Sequence, residues 1–280
     1  MAQGRSLALP VETRYWLPGT DLDEVLLHHV VTRIRDGDVV VFSEKALSTA
    51  QGNIVDENKI LPGLSALFLA TIWMRVVWGY LLGPLCRMRR KSLERIRRYP
   101  IGAAAHKQLV LTFSGPLQAL RHGSEGGVDV SNLPFSYACL PLKDPSADAH
   151  AIHRSLLRLT GKSVKVMIVD TDKTYSFLSF HFTPRPRPIS GITCLGLLAY
   201  VIGRSLNLRK RSTPLAVSGN GMSAETALNI AELADRARGH GAGRTAWEMA
   251  ERFGVGLTGV TWGMLMGLKH YPIVIVRGTG

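Results

Sequence analysis

Apolar positions in this chain fall into two kinds of pattern: short unbroken runs rich in Val and Ile, and longer stretches where apolar residues recur at helical spacing. The runs at 39–42, 164–169 and 273–276 are too short for helices and are bounded by glycine or polar residues, so each predicts a buried strand. Leu22, Val25, Leu26, Val30 and Ile34 share one helical face, with Thr20 as cap and Asp21, Asp23 and Glu24 in the first turn. A second helix carries Ile152, Leu156 and Leu159 and ends near Gly161, feeding the strand that closes at Asp170. Ser223 opens a third, with Ala224, Ala227, Leu228, Ala231 and Ala234 on its inner side and Gly239 at its end. Trp247, Ala250 and Phe253 mark a fourth. Between these, Asp36-Gly37-Asp38 predicts a turn, and Ser48, Thr49, Ala50 and Gly52 a close backbone turn. Residues 181–188 hold prolines at alternate positions, which removes donors and predicts an extended loop. Its arginines, Arg185 and Arg187, are positioned to close over an anion, with a structural loop the preferred reading; His181 is given no chemistry. Alternating strands and helices, without an internal repeat or low-complexity linker, predict a mixed α/β (α+β) fold.

Residues 61–85 break this rhythm. They are almost wholly apolar from Leu64 to Leu82 and long enough to cross a bilayer. Arg75 in the middle would cost about 2.5–3.5 kcal/mol on insertion scales, and Gly79 and Gly83-Pro84 interrupt the far end. A buried or interface helix is the first reading, a membrane-surface helix the second and a span the last. The stretch that comes next, Arg87, Arg89, Arg90, Lys91, Arg95, Arg97 and Arg98 against Glu94, reads as an exposed helix face and keeps the membrane-surface reading open. Residues 61–98 are therefore an apolar then basic helical insertion within one domain of 1–280.

Size and charge narrow the picture. With 280 residues, 46% of them hydrophobic, the chain can bury a full core. Its formal net charge of +13 draws polyanions in general. Few aromatics interleave with the basic run, which disfavours nucleic acid. Cys86, Cys139 and Cys194 are scattered and lack a CxxC pair, which excludes a disulfide scaffold or zinc ribbon and fits a reducing cytoplasm. The N-terminal residues lack the apolar run of a secretory signal.

In so basic a chain, gathered carboxylates stand out. Asp170-Thr171-Asp172 ends a buried strand, where metal and phosphate chemistry is usually done, although a solvated strand end or a cap would also explain a single Asp. Gly126-Gly127-Val128-Asp129-Val130-Ser131-Asn132 adds a carboxylate, hard oxygen donors, and glycines that admit close backbone approach. A divalent cation carrying nucleotide phosphates would use both clusters. Gly239-His240-Gly241-Ala242-Gly243-Arg244-Thr245 is not a Walker A loop, because a helix precedes it and Arg244 stands at the lysine position. A helix end and then a helix start is its simpler reading; an anion nest keeps Arg244 as a phosphate candidate.

These pieces in this order, Asp36-Gly37-Asp38 with its strand and small residues to Gly52, then Gly127-Val128-Asp129-Val130-Ser131-Asn132, then Val169-Asp170-Thr171, resemble the coenzyme F-420 γ-glutamyl ligases. The resemblance covers most of the chain and is loose at 55–120 and 173–222. It implies a GTP-dependent ligase that adds L-glutamate to the deazaflavin coenzyme precursor through an acyl phosphate, with Mg²⁺ or Mn²⁺, in a cytoplasmic homodimer of two intimate lobes with mixed sheets. Carried over by position, it implies that Asp129, Asp170 and Thr171 hold the metal. Leu17, Pro18, Glu44, Lys45, Thr49 and Asn132 would meet the nucleotide.

The chain also departs from that pattern. Thr49 stands where family members typically have Lys, Asp172-Lys173 comes after Thr171 in place of Gly-Arg, and residues 204–211 lack the acid-containing stretch expected there. These departures keep a different carboxylate or amine substrate open, as well as a non-catalytic scaffold bound to membrane or nucleic acid.

Overall fold

The computed structural model describes residues 6–123, 125–219 and 221–278. Residues 1–5, part of the N-terminal segment, lie outside the described residues. The strands are β1 (Leu7–Thr13), β2 (Val39–Ser43), β3 (Ile54–Asp56), β4 (Tyr137–Cys139), β5 (Lys165–Phe177), β6 (Phe180–Thr183), β7 (Thr193–Cys194), β8 (Arg209–Val217) and β9 (His270–Arg277). Seven of them form a mixed sheet in the order β1-β9-β2-β5-β6-β7, with β8 paired to β5; β3 and β4 form a separate ribbon. The mixed α/β class expected from the sequence is the one observed.

The predicted strands form the centre of this sheet because they are its most continuously apolar segments, and a central strand is buried on both faces. One face presents Val40, Phe42, Val166, Ile168, Ile273 and Ile275 to the helices Leu22–His29 and Pro145–Thr160. The other presents Val39, Val41, Met167, Val169, Val274 and Val276 to Ala227, Ile230, Ala231 and Ala234 of the helix Ala224–Arg238. Strands β2 and β5 run parallel, from Val39 opposite Lys165 to Ser43 opposite Val169. The residues after the two apolar runs therefore emerge at the same edge of the sheet: Glu44-Lys45 after β2, Asp170-Thr171 within β5.

Four local expectations are corrected. The cap of the first helix is Asp21, whose carboxylate accepts from Asp23 and Glu24 N–H; Thr20 instead bonds Leu17, and the helix ends at His29, with Val30 and Ile34 buried beyond it. Residues 44–50 form the helix Glu44–Ala50 rather than a turn, because Ala46, Leu47 and Ala50 bury against the sheet; only Gly52 turns left-handed, at φ +75°. Strand β5 does not stop at Asp170 but continues to Phe177 through a register shift between Asp170 and Lys173, since Thr174 and Tyr175 resume the buried alternation. Within 181–188 the first three residues belong to β6, and the loop begins at Pro184.

The apolar segment forms one helix, Leu64–Leu85, whose stretch Leu69–Leu82 is wound wide with i→i+5 bonding. Ala70, Met74 and Trp78 pack on Cys86, Ile96 and Tyr99. Arg75 gives two hydrogen bonds to the Tyr99 carbonyl, at 2.8 and 2.6 Å, and the indoles of Trp73 and Trp78 both donate to the Leu120 carbonyl at 2.7 Å. Such bonds tether the helix to the protein along one side, while its other side stays exposed. Cys86, Cys139 and Cys194 are free thiols.

Gly203, inside the helix Leu197–Ser205, lies against the Tyr175 ring so closely that a Cβ would overlap it. Alanine ordinarily gains roughly 1 kcal/mol over glycine in a helix. Here overpacking, about 1–3 kcal/mol, should win. Gly203→Ala is expected to lower the urea midpoint of unfolding; an unchanged or raised midpoint would contradict the packing described.

Candidate functional site

A cavity of about 1390 Å³ opens beside the edge where β2 and β5 deliver their polar residues. Lys45, Thr49, Asp129, Asn132, Asp170 and Thr171 all line it, so most of the residues singled out by sequence come together. Leu17, Pro18 and Glu44 do not line it: the first two lie in a turn next to the lining residues Tyr15 and Trp16, and Glu44 is buried behind the wall.

Asp129 sits on the loop after Gly127, bridged to Cys139 of β4. One of its oxygens accepts from Ser131 N–H at 2.7 Å; the other takes the Lys45 ammonium, which also bonds the Ser131 hydroxyl at 2.7 Å. Lys45 reaches across because it starts a helix directly after β2. Thr49, one turn further on, is buried against Cys139. Asn132 adopts φ +55° and clamps the glycine-rich loop, donating to Gly243 O at 3.0 Å and accepting from Ala242 N–H at 2.6 Å. Tyr15 donates its hydroxyl proton to the Asn132 carbonyl. The loop itself links Gly239, which ends one helix, to Thr245, which caps the next, as the simpler reading expected. It nonetheless forms a wall of the cavity, with Arg244 on it.

Asp170 is held from behind. Arg185 places Nε 2.6 Å from Asp170 Oδ2, pairs with Glu44, and donates to the Gly126 carbonyl at 2.6 Å. The neighbouring Asp172 pairs with buried Arg121 at 3.0 Å. Arg185 is thus a structural anchor, in keeping with the preferred reading of its loop, and it explains Gly127. A Cβ on Gly127, at φ +99°, would come within 2.6 Å of the guanidinium. One guanidinium serves two buried carboxylates, so burial, with Asp170 nearby and against the pull of Arg185, lifts Glu44 from the ordinary 4.5 to about 7.

A basic rim completes the cavity: Lys173, Lys210, Arg236 and Arg238 also line it. Lys173 is tied to Asp235 and Glu232 at 2.9 and 3.0 Å. Burial alone would raise Asp235, but Arg238 and Lys173 bring it down to about 2. Sequence reading missed these residues, because they come from β5, β8 and the end of the helix Ala224–Arg238, and no local pattern joins them.

Asp129 and Asp170, from separate elements, and the exposed Thr171 line one space, each carboxylate already paired with Lys45 or Arg185; oxygen donors of this kind are the type a hard divalent cation takes. Among the described residues no three His, Cys, Asp or Glu form a ready-made cage. The cation such a site suits is one that keeps substrate oxygens as ligands.

The sequence model of the F420-0:gamma-glutamyl ligase family matches residues 10–278. The chain belongs to this family. An uncharacterized protein of Methanocaldococcus jannaschii is 34% identical over 284 residues, 96% of each chain. A coenzyme F420:L-glutamate ligase of the same organism is 28% identical over 141 residues, 49% of each chain, and one of Archaeoglobus fulgidus 29% over 157 residues, 55% of each. The match thus spans about half the length of the ligases so named, and nearly all of the uncharacterized relative. The mid-strand Asp170-Thr171 of β5 and the Asp129 loop are pieces that the fold brings to one cavity.

The Glu44 proton gives a pH test of the buried cluster. Folded Glu44 holds its proton more tightly than the unfolded chain does, so stability contributed by this group is present below about 4.5 and is lost as pH rises through about 7. Urea unfolding across this interval should show wild type losing stability relative to Glu44→Gln as pH rises. Parallel pH profiles for the two proteins would reject the shift.

Proposed function

We propose that this chain is a GTP-dependent amide ligase that joins L-glutamate to a carboxylate acceptor, the deazaflavin coenzyme F-420 precursor in the first instance. The observation that carries the reading is the convergence of Asp129, Asp170, Thr171, Lys45 and Asn132 on one large cavity with a basic rim, in a member of this ligase family. The reaction needs no protein nucleophile. The acceptor carboxylate attacks the terminal phosphorus and GDP departs; the glutamate amine then attacks the acyl carbon, phosphate departs, and the amine gives up its proton.

Asp129, Asp170 and Thr171 would hold Mg²⁺ or Mn²⁺, which supplies charge neutralisation at the triphosphate and the transferring phosphoryl group. Lys45, already beside Asp129, adds a positive charge within reach of the same phosphates. Asn132 keeps the glycine-rich loop in place as a wall on which Arg244 can meet an anion. Lys210 and Arg236 extend the positive field that draws in GTP and a dicarboxylate. Catalysis of this kind comes from positioning and fixed charge. Action as a homodimer in the cytoplasm belongs to the same proposal.

A second reading keeps this chemistry and changes the acceptor. Its support is specific: the full-length likeness is to an uncharacterized protein from an organism that also carries a named coenzyme F420:L-glutamate ligase matching half of this chain. Thr49 in the nucleotide segment and Asp172-Lys173 after the metal segment point the same way.

The test is GTP turnover with Mn²⁺ or Mg²⁺, with L-glutamate and the deazaflavin precursor together and with each omitted, tracking γ-glutamyl product by mass. Product only in the complete mixture is expected; GTP binding without product would favour the second reading, and no GTP binding would overturn both. Asp129→Asn, at the less buried of the two carboxylates, should cost about a hundredfold or more in turnover with the fold intact by circular dichroism. Full turnover in that variant would reject the metal assignment.

A further inference from the structure

We propose that the exposed face of the helix Leu64–Leu85, with the basic segment after it, docks this protein on an anionic lipid bilayer; the proposal is independent of the ligase reading. The helix is two-sided. Ala66, Ala70, Met74 and Trp78 are buried at a spacing of four, while Leu64, Phe68, Ile72 and Val76 recur at the same spacing on the other side and stay exposed, as do Leu81 and Leu85 beyond them. Leu64 is 86% exposed, and Leu61 just before it 90%. Single exposed leucines are ordinary, but an ordered apolar row along a whole helix marks a surface made to meet something apolar.

A transmembrane placement does not fit. Arg75 at the middle of the helix is spent on the Tyr99 carbonyl, and the buried row is walled by the protein's own residues. A helix with one packed face and one bare apolar face lies flat in the interface, its bare side toward the acyl region.

Charge selects the occupant. Arg87, Arg89, Arg90, Lys91 and Arg98 are exposed, and among the described residues Arg87, Arg89 and Arg98 have no ion-pair partner. Arg97 lies over the exposed Tyr80 ring at 4.4 Å and donates to the Gly79 carbonyl at 3.0 Å, which fixes the helix Arg90–Arg97 alongside the apolar one. The basic segment is thereby held against the apolar helix near the exposed Tyr80 and Leu81. A second copy of the chain would bring the same positive charge, whereas anionic headgroups complement it. Met88, Ser92, Arg95 and Ile96 of the basic segment also line the cavity, so docking sets a cavity wall beside the bilayer.

The full chain is to be sedimented with vesicles of phosphatidylcholine alone and of equal phosphatidylcholine and phosphatidylglycerol, with light scattering of the free protein alongside. Binding to the anionic vesicles only, weakened by added salt and reduced about tenfold by the exposed double substitution Ile72→Asp with Val76→Asp, is expected. Three outcomes would overturn the proposal. They are no binding to anionic vesicles, binding that this double variant leaves unchanged, and an oligomer that the double variant dissociates, which would assign the face to a second copy. Circular dichroism of the variant guards against loss by unfolding.

Discussion

The buried guanidinium of Arg185 is the interaction on which the site depends. It reaches Asp170 on β5, Glu44 at the start of the helix after β2, and the carbonyl of Gly126 on the loop that carries Asp129. Those three elements are remote in sequence and supply most of the cavity's chemistry. A buried cation with such partners is costly to orphan, about 3–5 kcal/mol when one member of a pair is removed. It also constrains its neighbours: Gly127 must be glycine because the guanidinium occupies the space a side chain would need. One cation shared by two buried carboxylates leaves one of them short of compensation, which is why Glu44 holds its proton up to about 7.

Around that anchor, the sheet sets what faces what. Because β2 and β5 are parallel and in register, the ends of their apolar runs open to the same side, and the register shift after Asp170 turns Thr171 outward while Asp170 and Asp172 stay buried. The net positive charge is not spread evenly. Part of it is spent inside, on Asp170, Asp172 and Glu125; part rims the cavity; and part lies in the basic segment beside the apolar helix. Each location has a different physical consequence, which the total of +13 alone conceals. The family match, residues 10–278, takes in both the Asp170 strand and the Asp129 loop. The full-length likeness is to an uncharacterized relative, while the matches to named ligases span about half of this chain.

Much of this was legible in the amino-acid order. Unbroken Val and Ile runs named the three central strands, since only a strand buried on both faces is so uniformly apolar. Ser223 and Gly239 bounded their helix, and the acidic motifs named the cavity residues Asp129, Asp170 and Thr171. Where local pattern and structure part, the reason is tertiary. Small residues at 48–50 suggest a turn, yet packing on the sheet makes them helical; Asp170 looks like a strand end, yet β8 continues to pair with β5 beyond it.

Sequence by itself determined the fold class, the central strands and two of the carboxylates that line the cavity, because burial periodicity and motif spacing are local properties of the chain. Only the tertiary structure decided that Arg185 is an anchor rather than a clamp on substrate, that Glu44 lies behind the wall, and that Lys173, Lys210 and Arg238 share a rim. It also decided which side of the long apolar helix is bare. Those outcomes rest on which distant segments meet, and a guanidinium's role is set by the charges placed around it, not by its neighbours along the chain.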